Sequence, residues 1–147
     1  MVEHVLAQEP DREIVVTLHP GETYSDEERD ALDDMVAKYA RLSLQVGGME
    51  ALLPKCAYVV AMNSSVAFAG YFLKKPCVLF AGIDFHHIAA NVERLGIDGA
   101  FKAVRGMKPP YPQYLWLFLQ QMSINAGRPE AEDKIRARLA RLGWPVT

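Results

Sequence analysis

Ile14-Val15-Val16-Thr17-Leu18 is a β-branched run that follows the charged turn Glu-Pro-Asp-Arg-Glu, and it predicts a buried strand. A polar loop comes next. Ser25, with Glu28 three residues later, forms a capping box that starts a helix over about 26–40. Leu32, Met35, Val36 and Tyr39 recur on one face of that helix, and its acidic first turn complements the dipole. Leu42 to Val46 predicts a second strand, broken by Gly47-Gly48, and Met49 to Leu53 a single helical turn ended by Pro54. Tyr58 to Met62 predicts a third strand, Ser65 to Leu73 an apolar helix, and Cys77 to Phe80 a fourth strand. A helix over 85–92, N-capped by Asp84, and a last short strand at 100–104 are expected after it. Strands alternating with helices through short connections imply parallel pairing and right-handed crossovers.

The last third reads differently. Met107 to Pro112 is too rich in proline for a helix or a central strand. Tyr114 to Ala126 predicts an apolar helix stopped by Gly127, with Tyr114, Trp116 and Phe118 as core packing. Glu130 to Leu142 predicts an amphipathic helix with Ile135, Leu139 and Leu142 on one stripe. The expected architecture is one α/β domain over 1–147, with a Rossmann-like parallel sheet of four to five strands flanked by helices. Its core spans about 13–106 and its C-terminal helices about 113–142.

Composition narrows the classes. The chain has 147 residues, half of them apolar and 23% charged, enough to bury one core. Sixteen Lys and Arg against 18 Asp and Glu give a net charge of −2, which argues against a nucleic-acid partner. No apolar run approaches the roughly 18 residues of a membrane span. The acidic N-terminus does not read as a secretory signal. A cytoplasmic location follows as the expectation, with peripheral attachment at the inner membrane as a variant of it. Cys56 and Cys77 lie in no CxxC or CxxH pattern, so they read as small buried hydrophobes, with neither disulfide nor zinc.

In open parallel sheets ligands gather beyond the carboxyl ends of the strands. His19-Pro20 follows the first predicted strand, Gly47, Gly48 and Glu50 the second, Asn63-Ser64-Ser65 the third, and Gly82, Asp84, His86 and His87 the fourth. His19 is a candidate to donate to or protonate a phosphate oxygen; its plain reading is a cap on loop carbonyls. Ser64 and Ser65 offer hydroxyls at a helix start, where a phosphate is also attracted by backbone amides; their plain reading is an N-cap and a solvated neighbour. Glu50 is a candidate acceptor for ribose hydroxyls or an exocyclic amine, or simply an acid in a first turn. Adjacent His86 and His87 lack the spacing of a metal pair, and no metal or other cofactor is expected.

His-Pro after a strand, then Glu-Ala-Leu-Leu-Pro, a strand ending Asn-Ser-Ser, a helix and Lys-Lys-Pro resemble a known arrangement. It is that of the C-terminal, donor-nucleotide domain of GT-B glycosyltransferases that use CMP-activated acidic sugars, the bacterial sialyltransferase-like and capsule polysaccharide, Kdo-transferase-like groups. The stretch Val78 to His87 resembles the capsule-synthesis pattern of strand, glycine and aromatic. The resemblance covers about residues 13–92. It implies that His19, Pro20, Ser64 and Ser65 bind the CMP moiety, with Asn63 beside them, that Glu50 contacts the nucleoside, and that His19 is catalytic. The implied reaction is inverting transfer of Kdo or sialic acid from a CMP-sugar. Thr17 stands where the group often has a lysine, and no segment matches the acidic motif of the acceptor half. The expected partners are therefore a nucleotide sugar and an acceptor-binding domain or subunit. A noncatalytic module that dimerises through 114–126 is the alternative, and a UDP-sugar-binding or epimerase-like GT-B relative is the second.

Overall fold

A computed structural model describes residues 1–145. The chain divides into two compact units, Met1–Pro109 and a second that begins at Pro110.

The first unit alternates helices and strands. Helix α1 (Val2–Gln8) precedes β1 (Ile14–Leu18), and α2 (Asp26–Lys38) leads to β2 (Leu42–Val46). The short α3 (Met49–Leu52) leads to β3 (Val59–Ala61), and α4 (Val66–Phe72) to β4 (Cys77–Leu79). A 3-10 turn (His86–Ile88), β5 (Ala90–Asn91) and α5 (Val92–Val104), which is two helical segments joined across a non-helical break at Gly96 (φ +67°), complete it. β1 pairs with β2 in parallel, from Ile14 opposite Leu42 to Leu18 opposite Val46. β3 pairs in parallel with β4, and β4 with β5. The mixed α/β character and the parallel pairing are as expected. The strands fall into a sheet of two and a sheet of three.

The capping box forms: Ser25 Oγ accepts the Glu28 amide at 3.2 Å, and the Glu28 carboxylate accepts the Ser25 amide at 2.9 Å. The half-buried Leu32, Met35, Val36 and Tyr39 make the inner face of α2. Its N-terminal anions meet the dipole as the sequence requires.

Three expectations are corrected. Residues 100–104 are helix, not strand. Ile97, Ala100, Phe101 and Val104 follow a helical i, i+3, i+4, i+7 pattern that packs on β4 and β5. The helix expected over 85–92 is the 3-10 turn followed by β5, and Phe85 rather than Asp84 stands at its N-cap position. Ala90 is fully buried beside Val78, so the chain is drawn into the ladder there. Asn91 then caps α5, its Oδ1 accepting the Arg94 amide at 3.3 Å.

The core of this unit is Val78, Ala90, Ala100, Phe101 and Val104, with Tyr58, Val60, Ile97 and Met107 packed around it. At the amino ends of the strands a polar knot closes the fold. The buried Glu9 carboxylate, 6% exposed, accepts the Tyr58 hydroxyl at 2.7 Å, Arg105 Nε at 2.8 Å and Arg12 Nε at 3.0 Å. Arg41, just before β2, donates to the Leu6 and Glu9 carbonyls at 2.6 Å each, which caps the end of α1. Burial raises the Glu9 pKa, but the Tyr58 and Arg105 hydrogen bonds and the two guanidinium charges outweigh it and leave it below the ordinary 4.5. Burial, then the Glu9 hydrogen bond and charge, push the Tyr58 phenol up.

In the second unit, α6 (Tyr111–Trp116) runs into a π-helical turn (Leu117–Met122), and α7 (Ala131–Arg141) follows. The helix expected over 114–126 thus starts earlier and stops earlier. Pro112 is tolerated because it lies in the first turn, where an amide has no helical partner. Arg138 of α7 donates to the Met122 carbonyl and, at 2.6 Å, to the Gln121 carbonyl, which satisfies the end of that turn. Trp116 is 58% exposed, so it is not core; Tyr114 and Phe118 form a tilted ring pair at 6.2 Å. Among the described residues no helix is long and apolar enough to cross a membrane.

Candidate functional site

Parallel pairing ends the β1–β2 ladder directly before two loops. Leu18 is the last paired residue of β1, and His19 follows it; Val46 is the last of β2, and Gly47 follows it. The Gly47 amide still donates to the Leu18 carbonyl at 2.9 Å, which holds the two loops together. A Cβ on Gly47 would stand 4.0 Å from Pro20 Cγ. Thr17 Oγ1 donates to Met49 Sδ at 3.1 Å, fastening α3 to the end of β1. The Thr17 hydroxyl is therefore spent on packing. Glu50 follows Met49 in α3 and is exposed. One loop set thus gathers His19, Pro20, Gly47, Gly48 and Glu50.

Gly47 and Gly48 are needed for their backbone. Their φ values are +67° and +77°, in the left-handed region that side chains resist. Gly48 is the N-cap of α3, and its carbonyl accepts the Ala51 amide at 3.2 Å. Gln45 Nε2 donates to the Gly47 carbonyl at 2.8 Å and would lie 2.5 Å from a Cβ on Gly48. Gly48→Ala must both strain the backbone and displace that amide. It is expected to cost about 1–2 kcal/mol in urea unfolding. An unchanged midpoint would show that the turn tolerates a side chain.

His19 is held by its own loop. Its backbone N–H donates to the Tyr24 hydroxyl at 2.9 Å, and its carbonyl accepts the Glu22 amide at 3.2 Å. Nδ1 accepts the Gly21 amide at 3.1 Å. The plain reading, a histidine that caps its loop, is therefore real, though the capped group is an amide and not a carbonyl. Gly21 permits the close approach: a Cβ there would lie 3.3 Å from His19 Cε1. Gly21 and Tyr24 are the site residues that sequence reasoning passed over. The Gly directly after His-Pro was the available signal for the first. Nothing in the sequence marked the second.

Asn63, Ser64 and Ser65 lie beyond β3, in the second sheet. All three are exposed. Ser64 Oγ accepts the Val66 amide at 3.3 Å, and its carbonyl accepts the Ala67 amide at 3.1 Å. Ser65 is the N-cap residue of α4 without a side-chain cap bond. The next loop is tied to this one, since the Ala81 amide donates to the Met62 carbonyl at 2.9 Å. Asn91 Nδ2 reaches the Ala81 carbonyl at 3.4 Å. The second loop set therefore holds Asn63, Ser64, Ser65 and the Gly82 turn. Hydrogen-bonded strands do not continue from the first set's sheet to the second's.

His86 and His87 stack at 4.4 Å between ring centroids, and His86 Nδ1 bonds the Ile83 carbonyl. Among the described residues no group of three or more His, Cys, Asp or Glu is arranged to hold a metal ion. Both thiols are free. Burial pushes Cys77 up to about 11 despite its hydrogen bond with Tyr71, and it pushes Cys56 up against the attraction of Lys75. Neither is an activated nucleophile. Lys75 is not a free loop cation, because it donates to the Cys56 carbonyl at 2.7 Å.

The first loop set offers an imidazole and an exposed carboxylate, and the second offers hydroxyl groups, each beyond the carboxyl ends of its own parallel strands. That combination suits a phosphate-bearing, hydroxyl-rich ligand. No family model matches the chain, and no curated protein or solved structure matches it.

Proposed function

We propose that Met1–Pro109 binds the nucleotide of a CMP-activated acidic sugar, as the donor half of a GT-B-like glycosyltransferase that acts in capsule or surface polysaccharide synthesis. In this reading the two sheets form one Rossmann-like layer of four to five strands, and the acceptor side comes from another domain or subunit. The observation that carries the reading is strand direction. Both sheets are parallel; His19 comes directly after the end of β1, and Asn63, Ser64 and Ser65 come after the end of β3 with Met62 between. His19 donates to the phosphate, Ser64 and Ser65 add hydroxyl donors, Pro20 and Asn63 shape their loops, and Glu50 accepts from the nucleoside.

As the glycosidic bond breaks, charge grows on the departing CMP phosphate. Fixed donors stabilise that charge without a metal. In the completed enzyme, loss of the His19 donor is expected to remove roughly 2–4 kcal/mol of transition-state stabilisation. The test is calorimetric titration of the chain with CMP, UMP and ADP. CMP should bind measurably and more tightly than the other two. Equal binding of UMP would favour the UDP-sugar reading, and no binding of any of them would end the nucleotide reading.

A second reading is a noncatalytic module that pairs with a second copy through 114–126. It is favoured by the exposure of Trp116, Leu117, Leu119 and Met122. Light scattering tests it: a dimer that Trp116→Ala dissociates and that CMP leaves unchanged is the outcome this reading requires.

A further inference from the structure

The His-Pro-Gly turn restricts what His19 can do. A neutral imidazole carries one proton, and the nitrogen that accepts a hydrogen bond is the one without it. The Gly21 amide donates to Nδ1 at 3.1 Å, so the proton sits on Nε2. A proton on Nδ1 instead would set two donors against each other across that distance. The backbone groups of His19 are occupied as well, the N–H by Tyr24 and the carbonyl by Glu22. The side chain is exposed. What remains for an incoming molecule is a single outward N–H.

We propose that this turn fixes His19 as an Nε2–H imidazole that serves solely as a hydrogen-bond donor to an anionic oxygen. A metal ion needs a lone pair at Nε2, and so does a proton to be abstracted; neither finds one. A neutral imidazole does not give up its remaining proton either, so His19 steadies a departing phosphate by hydrogen bonding rather than by protonating it. The identity of the oxygen as a nucleotide phosphate rests on the reading proposed above, whereas the proton position rests on the turn alone. Gly21 is accordingly a positioning residue for the imidazole.

Long-range proton–nitrogen correlation spectra of the full chain at pH 8 test this, with His19→Gln identifying the ring signals. Nδ1 should appear as the unprotonated nitrogen and Nε2 as the protonated one before any nucleotide is added, and CMP or inorganic phosphate should then move Nε2 more than Nδ1. A protonated Nδ1 in the free chain overturns the inference. The expected proton position with no response to either compound leaves the tautomer standing but overturns the donor role toward an anionic oxygen; a response to inorganic phosphate without one to CMP upholds the inference and removes the nucleotide reading. A pair of variants gives an independent readout. Glutamine carries an amide near the place of Nε2 and asparagine one near Nδ1. His19→Gln should lose only a few-fold in CMP affinity and His19→Asn about tenfold or more. The reverse order contradicts a donor at Nε2.

Discussion

Phe101→Ala lowers the stability of the first unit by about 4 kcal/mol. The ring is fully buried at the centre of the core, among Val78, Ala90, Ala100 and Val104. It meets Tyr58 edge-on, with ring centroids 6.3 Å apart. Truncation removes the transfer energy of an aromatic ring and leaves a cavity that rigid neighbours on β4 and β5 cannot fill. Alanine keeps the helix propensity of α5, so the loss measures packing alone. Urea unfolding followed by circular dichroism checks it. A loss under about 1 kcal/mol would mean that the α5 face does not pack on the sheet as described.

Glu9→Ala comes next, at about 2 kcal/mol, the scale of hydrogen bonds to a buried carboxylate whose guanidinium partners are about half exposed. The carboxylate joins α1 to Tyr58 at the entry to β3 and to Arg105 at the end of α5. Removing it leaves the partly buried Tyr58 phenol, Arg12 Nε and Arg105 Nε without the carboxylate, while Arg105 Nη2 keeps the Gln8 carbonyl at 2.6 Å. Glu9→Gln keeps one oxygen and should cost less. The pH dependence follows from the lowered pKa. The unfolded chain binds the proton more readily than the folded one, so the Glu9 contribution is complete above the ordinary carboxyl value of 4.5. It disappears as pH falls through the lower, folded value. The acid limb of the wild-type stability profile below pH 4.5 should therefore flatten in Glu9→Gln. An unchanged acid limb would show that other carboxylates govern acid unfolding.

These two sites also mark where the sequence could and could not be read. The β1 and β2 segments match expectation residue for residue, because β-branched or alternating runs end at Pro20 and Gly47. The Ser25–Glu28 box fixed the start of α2 by local chemistry alone. β3 and β4 are shorter than expected, since the length of a three-residue strand is set by its neighbour and not by its own residues. The α5 periodicity begins at Ile97, but Gly96 and Gly99 hide it, and the remaining Ala-Phe-Lys-Ala-Val imitates a strand. Helix α1 went unread because its end is capped by Arg41 and its anchor is Glu9, contacts made across long stretches of chain.

Of the candidate site, the first loop set was legible in part. A strand followed by His-Pro, or by Gly-Gly, is a local signal, and the two loops do lie together. The Gly21 amide and the Tyr24 hydroxyl that hold His19 are set by turn geometry, which composition does not reveal. Trp116 was misjudged because an apolar helix reads as buried whether or not anything covers it.

In the proposed function, the carboxyl ends of these parallel strands receive one nucleotide phosphate through His19. Backbone amide spectra of the full chain titrated with CMP test it most directly. Shifts should be confined to His19–Glu22, Gly47–Glu50 and Asn63–Val66, all abolished by His19→Ala. Shifts centred on Glu9, Tyr58 and Arg105 at the opposite ends of the strands, or none at all, would contradict it.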